Sequence, residues 1–390
     1  MASGHDVVVV GGGAVGSAVA YFLCREGVRR VAVIERDPVY ARASSTLSAG
    51  SIRQQFSTPV NIALSRFGAE FLRAADEHLS VDGVPTGLHL HEPGYLYLAT
   101  PAGLPVLRAN HAVQRECGVA VALLDPDALR ARFPWLDTAG LAAGSLGLQG
   151  EGWFDGHALL QAFRRKARDL GARYVHGEVV GFERDGARIA AVWLADGSRL
   201  PCDTAVNAAR PYARRVAEMA GLDLPVEARC RSVFVFRAKR ALPGCPLVIE
   251  PGGVWFRPEG DGFICGLSPP AERDPECFEL GVDHALFEDA IWPALAARVP
   301  LFEELRPTGS WAGHYEYNTF DQNALLGAMP EVPNLVFANG FSGHGLQHAP
   351  GVGRGVAELI AHGAYRGLDL SALSVTRLAR GRPVVERCVI

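Results

Sequence analysis

The first 35 residues constrain the fold of this chain more than any other stretch. The apolar run VVVV at 7–10 has the pattern of a parallel strand that is buried on both faces. It leads into GGGAVG at 11–16, whose spacing is GxGxxG, and then into the helical pattern SAVAYFLCREG. A second apolar run, VAVIE at 31–35, ends on Glu35, about 20 residues beyond the turn. Together these elements predict a βαβ unit that binds a dinucleotide.

Each part of this unit has a physical role. The glycines permit a tight turn and a close approach of the backbone to a pyrophosphate, which the helix N-terminus faces. The acid at position 35 would bind a ribose hydroxyl. An ordinary glycine-rich turn is the alternative. The residues that would surround the pyrophosphate are Gly11, Gly13, Ala14, Val15 and Gly16.

Composition excludes several classes of function. The 390 residues suffice for two domains, and the net charge of −4 does not favour nucleic acid as a partner. Eight cysteines without a CxxC pair indicate reduced thiols and no metal site. No apolar run approaches the roughly 20 residues that span a bilayer. We therefore expect a cytoplasmic protein, or one of the mitochondrial matrix if the chain is a trimmed mature form.

A second glycine-rich segment, FANGFSGHGLQHAPGVGRG, lies at 337–355. It predicts a strand, a loop and a helix with Pro350 in the first turn. Gly351, Gly353 and Gly355 each cost about 0.8–1.0 kcal/mol relative to alanine inside a helix. We expect that something approaches this backbone closely. A reduced flavin ring would suit the helix N-terminus, and tight helix packing is the alternative.

This second loop favours FAD over NAD. An NAD dehydrogenase would finish its nucleotide domain in the first half of the chain, whereas a flavin must be held along its whole length. The stretch between the two loops is rich in strands. The segments RSVFVFR, PLVIE and VWFRPEGDGFICGL at 229–268 predict antiparallel strands.

The chain resembles the FAD-dependent D-amino-acid oxidase, glycine oxidase and sarcosine oxidase superfamily along essentially its whole length. The motifs are GGGAVG, VIER, ASSTLSAG, NAA, FRPEGD, WAG and GFSGHGL. The resemblance implies an α/β fold: a Rossmann-like FAD-binding domain of the glutathione-reductase type, built from discontinuous segments, with an interleaved α+β substrate domain of antiparallel sheet. We assign 1–80, 151–215 and 325–390 to the FAD-binding domain, and 81–150 and 216–324 to the substrate domain.

Three stretches, EGWFD, YNTFDQN and GFSGHGLQ with the following APG and GR, resemble a narrower subgroup. Its mitochondrial members are linked to assembly of respiratory complex I. The leading prediction is an FAD-dependent oxidoreductase acting on the C–N bond of a secondary amine or amino acid. An FAD-binding assembly factor with a respiratory-chain subunit as partner is the alternative, and oxidation of a C–OH bond is a third.

The resemblance implies roles for residues along the cofactor. Glu35 and Arg36 would hold the adenosine end, and Val179 would contact adenine through its backbone. Ala208 would belong to the cofactor wall. The residues beneath the ribityl chain and ring would be Ser44, Ser45, Gly50, Ile52 and Arg53. Those along the carbonyl edge of the ring would be Gly343, His344, Gly345, Leu346 and Gln347.

The departures from the family pattern bear on how FAD is attached. Sarcosine and dimethylglycine dehydrogenases attach FAD to a histidine, and the matching position here is Ser48. Monomeric sarcosine oxidases use a cysteine, and the matching position is His314. We therefore predict non-covalent FAD, with His314 left as an open candidate for attachment.

Other departures bear on the substrate. Three family positions that hold the substrate carboxylate are Phe56, Tyr315 and Gln347 here, and none is a cation. Ile264 occupies the place of the lysine that helps oxidases react with oxygen. We expect simple glycine derivatives to be poor substrates and the electrons to pass to an acceptor other than oxygen, as in a dehydrogenase.

Four residues are the candidates for chemistry: His344, Tyr315, Arg257 and Gln347. His344 is predicted to contact the ring rather than act as a base. Tyr315 is predicted to line the substrate face, and a buried structural tyrosine is the alternative. Arg257 is predicted to replace the missing anion anchor, and its alternative is an ion pair with Glu259 or Asp261. Arg210 stands where the family has glycine, so its side chain must either point away from the cofactor or cover it.

Overall fold

The computed structural model describes residues 4–387. Its strands are β1 (His5–Val10), β2 (Val31–Glu35), β3 (Ser51–Ile52), β4 (Tyr95–Ala99), β5 (Val121–Leu124), β6 (Ala143–Gly147), β7 (Gly152–Trp153), β8 (Arg173–His176), β9 (Val179–Asp185), β10 (Arg188–Leu194), β11 (Arg199–Asn207), β12 (Val226–Arg237), β13 (Leu247–Ile249), β14 (Trp255–Glu259), β15 (Gly262–Gly266), β16 (Arg306–Asn318), β17 (Leu325–Ala328) and β18 (Leu335–Asn339).

The α-helices are α1 (Ala14–Arg25), α2 (Pro59–Arg73), α3 (Ala75–Leu79), α4 (Leu104–Glu116), α5 (Pro126–Arg132), α6 (Gly156–Asp169), α7 (Ala213–Glu218), α8 (His284–Leu286), α9 (Trp292–Arg298) and α10 (Gly345–His362). A π-helical turn, Phe287–Ile291, joins α8 to α9. The short 3-10 turns are Arg210–Tyr212, Ala271–Arg273, Pro300–Glu304, Ser371–Leu373 and Val375–Arg377. Between residues 4 and 387, no helix combines the length and the apolar character that crossing a membrane requires.

The first sheet contains the predicted βαβ unit. Its order is β17-β18-β11-β1-β2-β8, and β1 pairs in parallel with both β2 and β11. The valines of β1 are buried because α1, α6 and α10 cover one face of this sheet, while α7 packs against the other. A hairpin of β9 and β10 extends from β11. The α/β fold class predicted from the sequence is confirmed.

The second sheet has eight strands in the order β16-β12-β15-β14-β13-β4-β6-β5. Its neighbours are antiparallel, as predicted, except for β13 and β4, which run parallel. This pair joins Tyr95–Ala99 to Leu247–Ile249, two segments far apart along the chain. A cluster of phenylalanines from β12, β14 and β15 packs on Phe302 and forms a separate core.

The prediction for the start of the last helix is wrong. Helix α10 begins at Gly345, inside the second glycine-rich loop, so Pro350 is its sixth residue and does not lie in the first turn. The amide of His348 already donates to the carbonyl of His344 at 3.1 Å, which extends the helix ahead of the proline. Since proline has no N–H, the carbonyl of Leu346 loses its usual partner.

The glycines inside α10 contact protein rather than a cofactor. A Cβ on Gly353 would lie 2.7 Å from the Cβ of Ala18 in α1, and one on Gly351 would lie 2.7 Å from Leu64 in α2. The expectation that a flavin ring explains these glycines is therefore wrong. Close helix packing, the alternative interpretation, accounts for them.

Candidate active site

A cavity of about 620 Å³ opens at the carboxyl ends of β1, β2 and β11. In a parallel sheet this edge is the usual place for a nucleotide. The cavity is lined by the glycine-rich turn and by the segments that follow β2 and β11. Of the residues predicted to bind the cofactor, those that line it are Gly11, Gly13, Ala14, Glu35, Arg36, Ser44, Ser45, Val179 and Ala208.

The geometry of the turn requires glycine for two different reasons. Gly11 has φ +100°, and a Cβ there would lie 2.5 Å from the carbonyl oxygen of Ala208. A Cβ on Gly16 would collide with the carbonyl oxygen of Gly11. A Cβ on Gly13, in contrast, would meet no protein atom within 4 Å. Gly13 therefore faces the cavity, where its lack of a side chain leaves room for a phosphate beside the uncapped N-terminus of α1.

Two predicted residues of this turn lie behind the cavity wall. Val15 is buried in the core between α1 and its neighbouring helices, and Gly16 packs against the turn itself. Glu35 lies at the wall, where its carboxylate accepts hydrogen bonds from the amides of Gly12 and Asp37, each at 2.8 Å. Burial raises the pKa of Glu35, and these two bonds oppose the rise.

An arrangement of cations and aromatic rings closes one end of the cavity. Tyr212 stacks on Phe278 with ring centroids 5.2 Å apart. The guanidinium of Arg36 lies 3.7 Å from the ring centre of Tyr212, and that of Arg215 lies 3.8 Å from Phe278. The sequence prediction missed Tyr212, Arg215 and Phe278, of which Phe278 comes from a distant loop without a local motif. Flat rings and guanidinium groups suit an adenine base.

The hydroxyls of Ser44 and Ser45 are buried at the wall of the same cavity. Neither finds a hydrogen-bond partner within residues 4–387. A buried hydroxyl without a partner is unfavourable, so both are placed to bind a polar ligand that is rich in oxygen. The phosphates and ribityl chain of FAD have this chemistry, and the residues of this cavity fit that cofactor.

A second cavity, of about 190 Å³, continues the first and is called here the ring pocket. Ser44, Arg210 and His314 line both cavities, so they mark the passage between them. Predicted site residues that line the ring pocket are Ser44, Arg53, Tyr315, Gly343, His344, Leu346 and Gln347. Gly50, Ile52 and Gly345 do not line it.

Strand β16 holds the second glycine-rich loop against the ring pocket. Glu316 accepts a hydrogen bond from the amide of Gly340 at 2.7 Å. The hydroxyl of Tyr315 donates to the carbonyl of Ser342 at 2.5 Å, and the Ser342 hydroxyl accepts from the amide of Asn318 at 3.0 Å. These bonds fix the loop from one side, and they explain why WAGHYEYN and GFSGHGLQ lie together in space.

His344 and Gln347 both bind Arg53, which is 2 % exposed. The Nη2 atom of Arg53 lies 2.9 Å from Nε2 of His344, and the backbone amide of Arg53 donates to Oε1 of Gln347 at 2.8 Å. Because a guanidinium can only donate, Nε2 of His344 accepts and its proton sits on Nδ1. Burial and the charge of Arg53 hold the pKa of His344 well below its ordinary value, so the ring is neutral.

Glu151 lies beneath the segment Arg53–Gln55 and is fully buried. The sequence prediction did not assign a role to it. Its carboxylate accepts from the amides of Gln54 and Gln55 at 2.6 and 3.0 Å, and from Nε2 of Gln55 at 2.9 Å. Burial raises the pKa of Glu151 to about 7 despite these bonds and the nearby Arg53. Its motif, EGWFD, is recognisable, but the motif alone does not reveal what the acid touches.

Arg231 is a second cation that the sequence prediction missed. It projects from β12 into the ring pocket, 4.5 Å above the ring of Tyr315, and its Nη1 and Nη2 atoms donate to Asp274 at 2.7 and 2.8 Å. Its Nε atom is buried without a hydrogen-bond partner in the described part of the chain. Burial raises the pKa of Tyr315 to about 12, and Arg231 and Arg53 oppose that rise.

Arg257, the predicted anion anchor, is buried outside the ring pocket. Its guanidinium donates to the carbonyl of Ala49 at 2.7 Å, forms an ion pair with Glu259, and lies 5.0 Å from the ring of Trp153. The ion pair is the alternative interpretation of this residue. With these donors engaged elsewhere, Arg257 gains no geometric support as an anchor.

His314 lies at the passage between the two cavities. Neither ring nitrogen finds a hydrogen-bond partner among residues 4–387. Burial lowers the pKa of His314 to about 4, and the charges of Arg42 and Arg36 act in the same direction. The imidazole is therefore neutral at physiological pH, and no hydrogen bond within residues 4–387 fixes its orientation.

Comparison with known proteins extends these observations to the whole chain. A family profile described as FAD dependent oxidoreductase (DAO) matches residues 6–359. FAD-dependent oxidoreductase domain-containing protein 1 of Xenopus laevis is 45 % identical over 423 residues, which cover 99 % of this chain and 85 % of that protein. Mitochondrial dimethylglycine dehydrogenase of Homo sapiens is 26 % identical over 382 residues, covering 92 % of this chain and 42 % of that protein.

The solved structure of L-proline dehydrogenase from P. horikoshii superimposes with a TM-score of 0.87 at 26 % identity. The superposition covers 98 % of this chain and 100 % of that chain. The similarity therefore includes both sheets, not only the dinucleotide turn.

Proposed function

Because the chain belongs to the FAD dependent oxidoreductase family, we propose that it oxidises the C–N bond of a secondary amine or amino acid and passes the electrons to an acceptor other than oxygen. FAD is the cofactor of this family. The observation that supports the proposal is the composition of the ring pocket. There, two guanidinium groups, of Arg53 and Arg231, flank Tyr315 in a cavity that continues the nucleotide cavity.

Arg231 is the best-placed group to bind a substrate carboxylate. Asp274 holds its guanidinium in a fixed orientation through two hydrogen bonds, and its buried Nε atom has no partner in the described chain. A donor that is already oriented and desolvated binds a carboxylate without a large loss of side-chain entropy. This geometry favours an amino acid over a simple amine.

The same cations favour the reactive form of the amine. The chemistry that FAD supplies is acceptance of two electrons from the carbon next to the substrate nitrogen. For this reaction the nitrogen must be neutral, and positive charges nearby lower the pKa of an ammonium group. His344 is itself an acceptor from Arg53, so it orients that arginine and does not serve as a base.

Two features support a dehydrogenase rather than a fast oxidase. The position of the oxygen-activating lysine is Ile264, which is 1 % exposed within β15. The only lysines of the chain are Lys166 and Lys239, and each forms an ion pair away from both cavities. Two of the similar proteins, dimethylglycine dehydrogenase and L-proline dehydrogenase, are also named as dehydrogenases.

Anaerobic mixing tests the proposal. FAD-loaded protein is mixed with a panel of secondary amines and amino acids in the absence of oxygen, and the absorbance of oxidised FAD is followed. We expect at least one carboxylated secondary amine to bleach the flavin, with sarcosine and glycine slow. Rapid peroxide production from sarcosine or glycine in air would contradict the dehydrogenase assignment.

A second candidate is an assembly factor that retains FAD for a largely structural purpose. The observation that favours it is the loss of all three family carboxylate anchors, at Phe56, Tyr315 and Gln347. Under this alternative no member of the panel bleaches the flavin, although dithionite does, and the protein binds a purified respiratory-chain subunit. Bleaching by a substrate would reject it as the sole function.

A further inference from the structure

Arg210 adopts an unusual backbone conformation in the turn after β11. Its φ angle is +55°, in the left-handed region that a residue with a Cβ rarely occupies. The related turn of the family has glycine at this place. Strain of this kind persists where the surrounding structure holds it, and it concentrates at functional sites.

The side chain of Arg210 points inward, which answers the question that the sequence left open. It lines both cavities, and its side chain is 19 % exposed. The guanidinium packs on Gly345, the first residue of α10, so closely that a Cβ on that glycine would collide with Nη1. It also lies 5.8 Å from the ring centre of Phe341. Arg210 therefore forms part of the wall of the passage between the two cavities.

Glu316 is the acidic partner of Arg210. Its side chain is 1 % exposed, its Oε1 atom accepts from Gly340, and its Oε2 atom lies 3.9 Å from Nε of Arg210. Oε2 forms no hydrogen bond within the described residues. At this distance the pair attracts electrostatically without a hydrogen bond, so the guanidinium keeps N–H donors for a ligand in the passage.

We propose that Arg210 is a cofactor ligand that faces the electron-rich edge of FAD, and that Glu316 limits its positive potential. The cation lies between Ala209, next to the glycine-rich turn, and Gly345, at the positive end of α10. Any FAD that extends through both cavities passes this guanidinium. Positive charge at the ring edge stabilises reduced flavin more than oxidised flavin, so this pair sets the reduction potential.

The replacement Arg210→Met tests the ligand. Methionine keeps the Cβ and the same strain at φ +55° but removes the charge. The holoprotein is expected to bind FAD at least tenfold more weakly. Its preference for reduced over oxidised FAD is also expected to fall at least tenfold. This lowers the midpoint potential of the two-electron couple by about 30 mV or more. Potentials are measured against a reference dye, and FAD affinity by quenching of flavin fluorescence.

The replacement Glu316→Gln tests the acidic partner, and its expected shift in midpoint potential is opposite to that of Arg210→Met. Removing the negative charge leaves Arg210 unopposed, so the midpoint potential is expected to rise by a similar amount. Simple structural damage would not move the two variants in opposite directions. Arg210→Lys is expected to keep most of the wild-type potential, and Arg237→Met, at an exposed ion pair with Asp261, is the control.

Three results would overturn the inference: an unchanged potential in Arg210→Met, tighter FAD binding in that variant, or a fall in potential in Glu316→Gln. If Arg210→Met fails to fold, Arg210→Lys and Glu316→Gln decide. Under the proposal the lysine variant retains the potential and the glutamine variant raises it, and any other combination rejects it.

Discussion

At the scale of single residues, buried polar groups shape the ring pocket. Arg53 is held by His344, Gln347 and the carbonyl of Gln55, and each of these residues is at most 7 % exposed. Buried charges of this kind are stable only when hydrogen bonds orient and satisfy them. The pocket is thus preorganised by protein contacts before any substrate enters.

Glu151 gives this network a pH dependence. Its pKa of about 7 in the folded state exceeds its ordinary value, 4.5. Between pH 4.5 and about pH 7 the folded protein therefore binds more protons than the unfolded chain. The stability that the protonated acid contributes is fully present below pH 4.5 and is lost as the pH rises through 7.

We predict that Glu151→Gln, which cannot ionise, becomes more stable relative to wild type as the pH rises. Between about pH 5 and pH 8, the difference in free energy of unfolding should shift by about 1–3 kcal/mol in favour of the variant. Urea denaturation of both proteins at several pH values measures it. A difference that stays constant with pH would contradict the assignment.

The predicted binding of a substrate carboxylate depends on Arg231. In Arg231→Met, a carboxylated substrate loses a charge-assisted hydrogen bond worth about 1.5–3 kcal/mol, so we expect its KM to rise about 10- to 100-fold. The effect on kcat should be smaller, and flavin content should stay the same. Arg237→Met on the same strand, which has an exposed side chain, is the matched control. An equal KM for Arg231→Met and wild type would exclude Arg231 as the anchor.

These residues show how far a sequence can predict a site. GGGAVG, Glu35, Ser44 and Ser45 could be predicted because each lies within a local motif of fixed geometry, and all of them line or support the nucleotide cavity. Arg231 and Phe278 were missed because their roles arise from contacts across separate segments. Arg257 was predicted as the anion anchor, but the structure pairs it with its sequence neighbour Glu259.

At the scale of secondary-structure elements, α10 is the helix on which both cavities depend. Its N-terminus supplies His344, Leu346 and Gln347 to the ring pocket, while its glycines let α1 and α2 approach closely. The sequence predicted this helix but not its start, because a proline in the second turn is an exception to the usual rule. Tertiary contacts of the loop with β16 override the local preference.

Substitution of Gly353 by alanine tests this packing. The new Cβ would lie 2.7 Å from the Cβ and 2.8 Å from the backbone carbon of Ala18. Overpacking costs about 1–3 kcal/mol and outweighs the gain in helix propensity of about 1 kcal/mol, so we expect a lower free energy of unfolding and a lower Tm. Gly181→Ala, where a Cβ meets no atom within 4 Å, is the control. An equal or higher stability of Gly353→Ala would show that α1 and α10 can separate.

At the scale of the whole molecule, the two sheets together enclose one continuous site. The nucleotide cavity lies at the edge of the first sheet, whereas β12 and β16 of the second sheet wall the ring pocket. The periodicity of each segment predicted which strands would form. It could not predict that β4 and β13 pair in parallel, because that pairing joins residues about 150 positions apart.

Attachment of the cofactor is a property of the whole holoprotein. We predict that acid precipitation releases FAD into the supernatant, because Ser48 stands where the covalently linked relatives have a histidine and no hydrogen bond within residues 4–387 orients His314. Absorbance of the supernatant and of the washed pellet measures the distribution. Flavin that stays with the pellet would disprove non-covalent binding, and its loss in His314→Ala would identify the attachment site.

The most direct test of the proposed activity compares two substrates that differ only in the carboxylate. FAD-loaded protein is mixed anaerobically with L-proline or with pyrrolidine, and the absorbance of oxidised FAD is followed. The comparison is then repeated with an N-methyl amino acid and the amine that lacks its carboxylate. We predict that at least one carboxylated member bleaches the flavin and that its partner reacts at least tenfold more slowly, since Arg231 supplies about 1.5 kcal/mol or more. Retention of full absorbance with every substrate, in protein that dithionite reduces completely, would contradict the proposed amine oxidation.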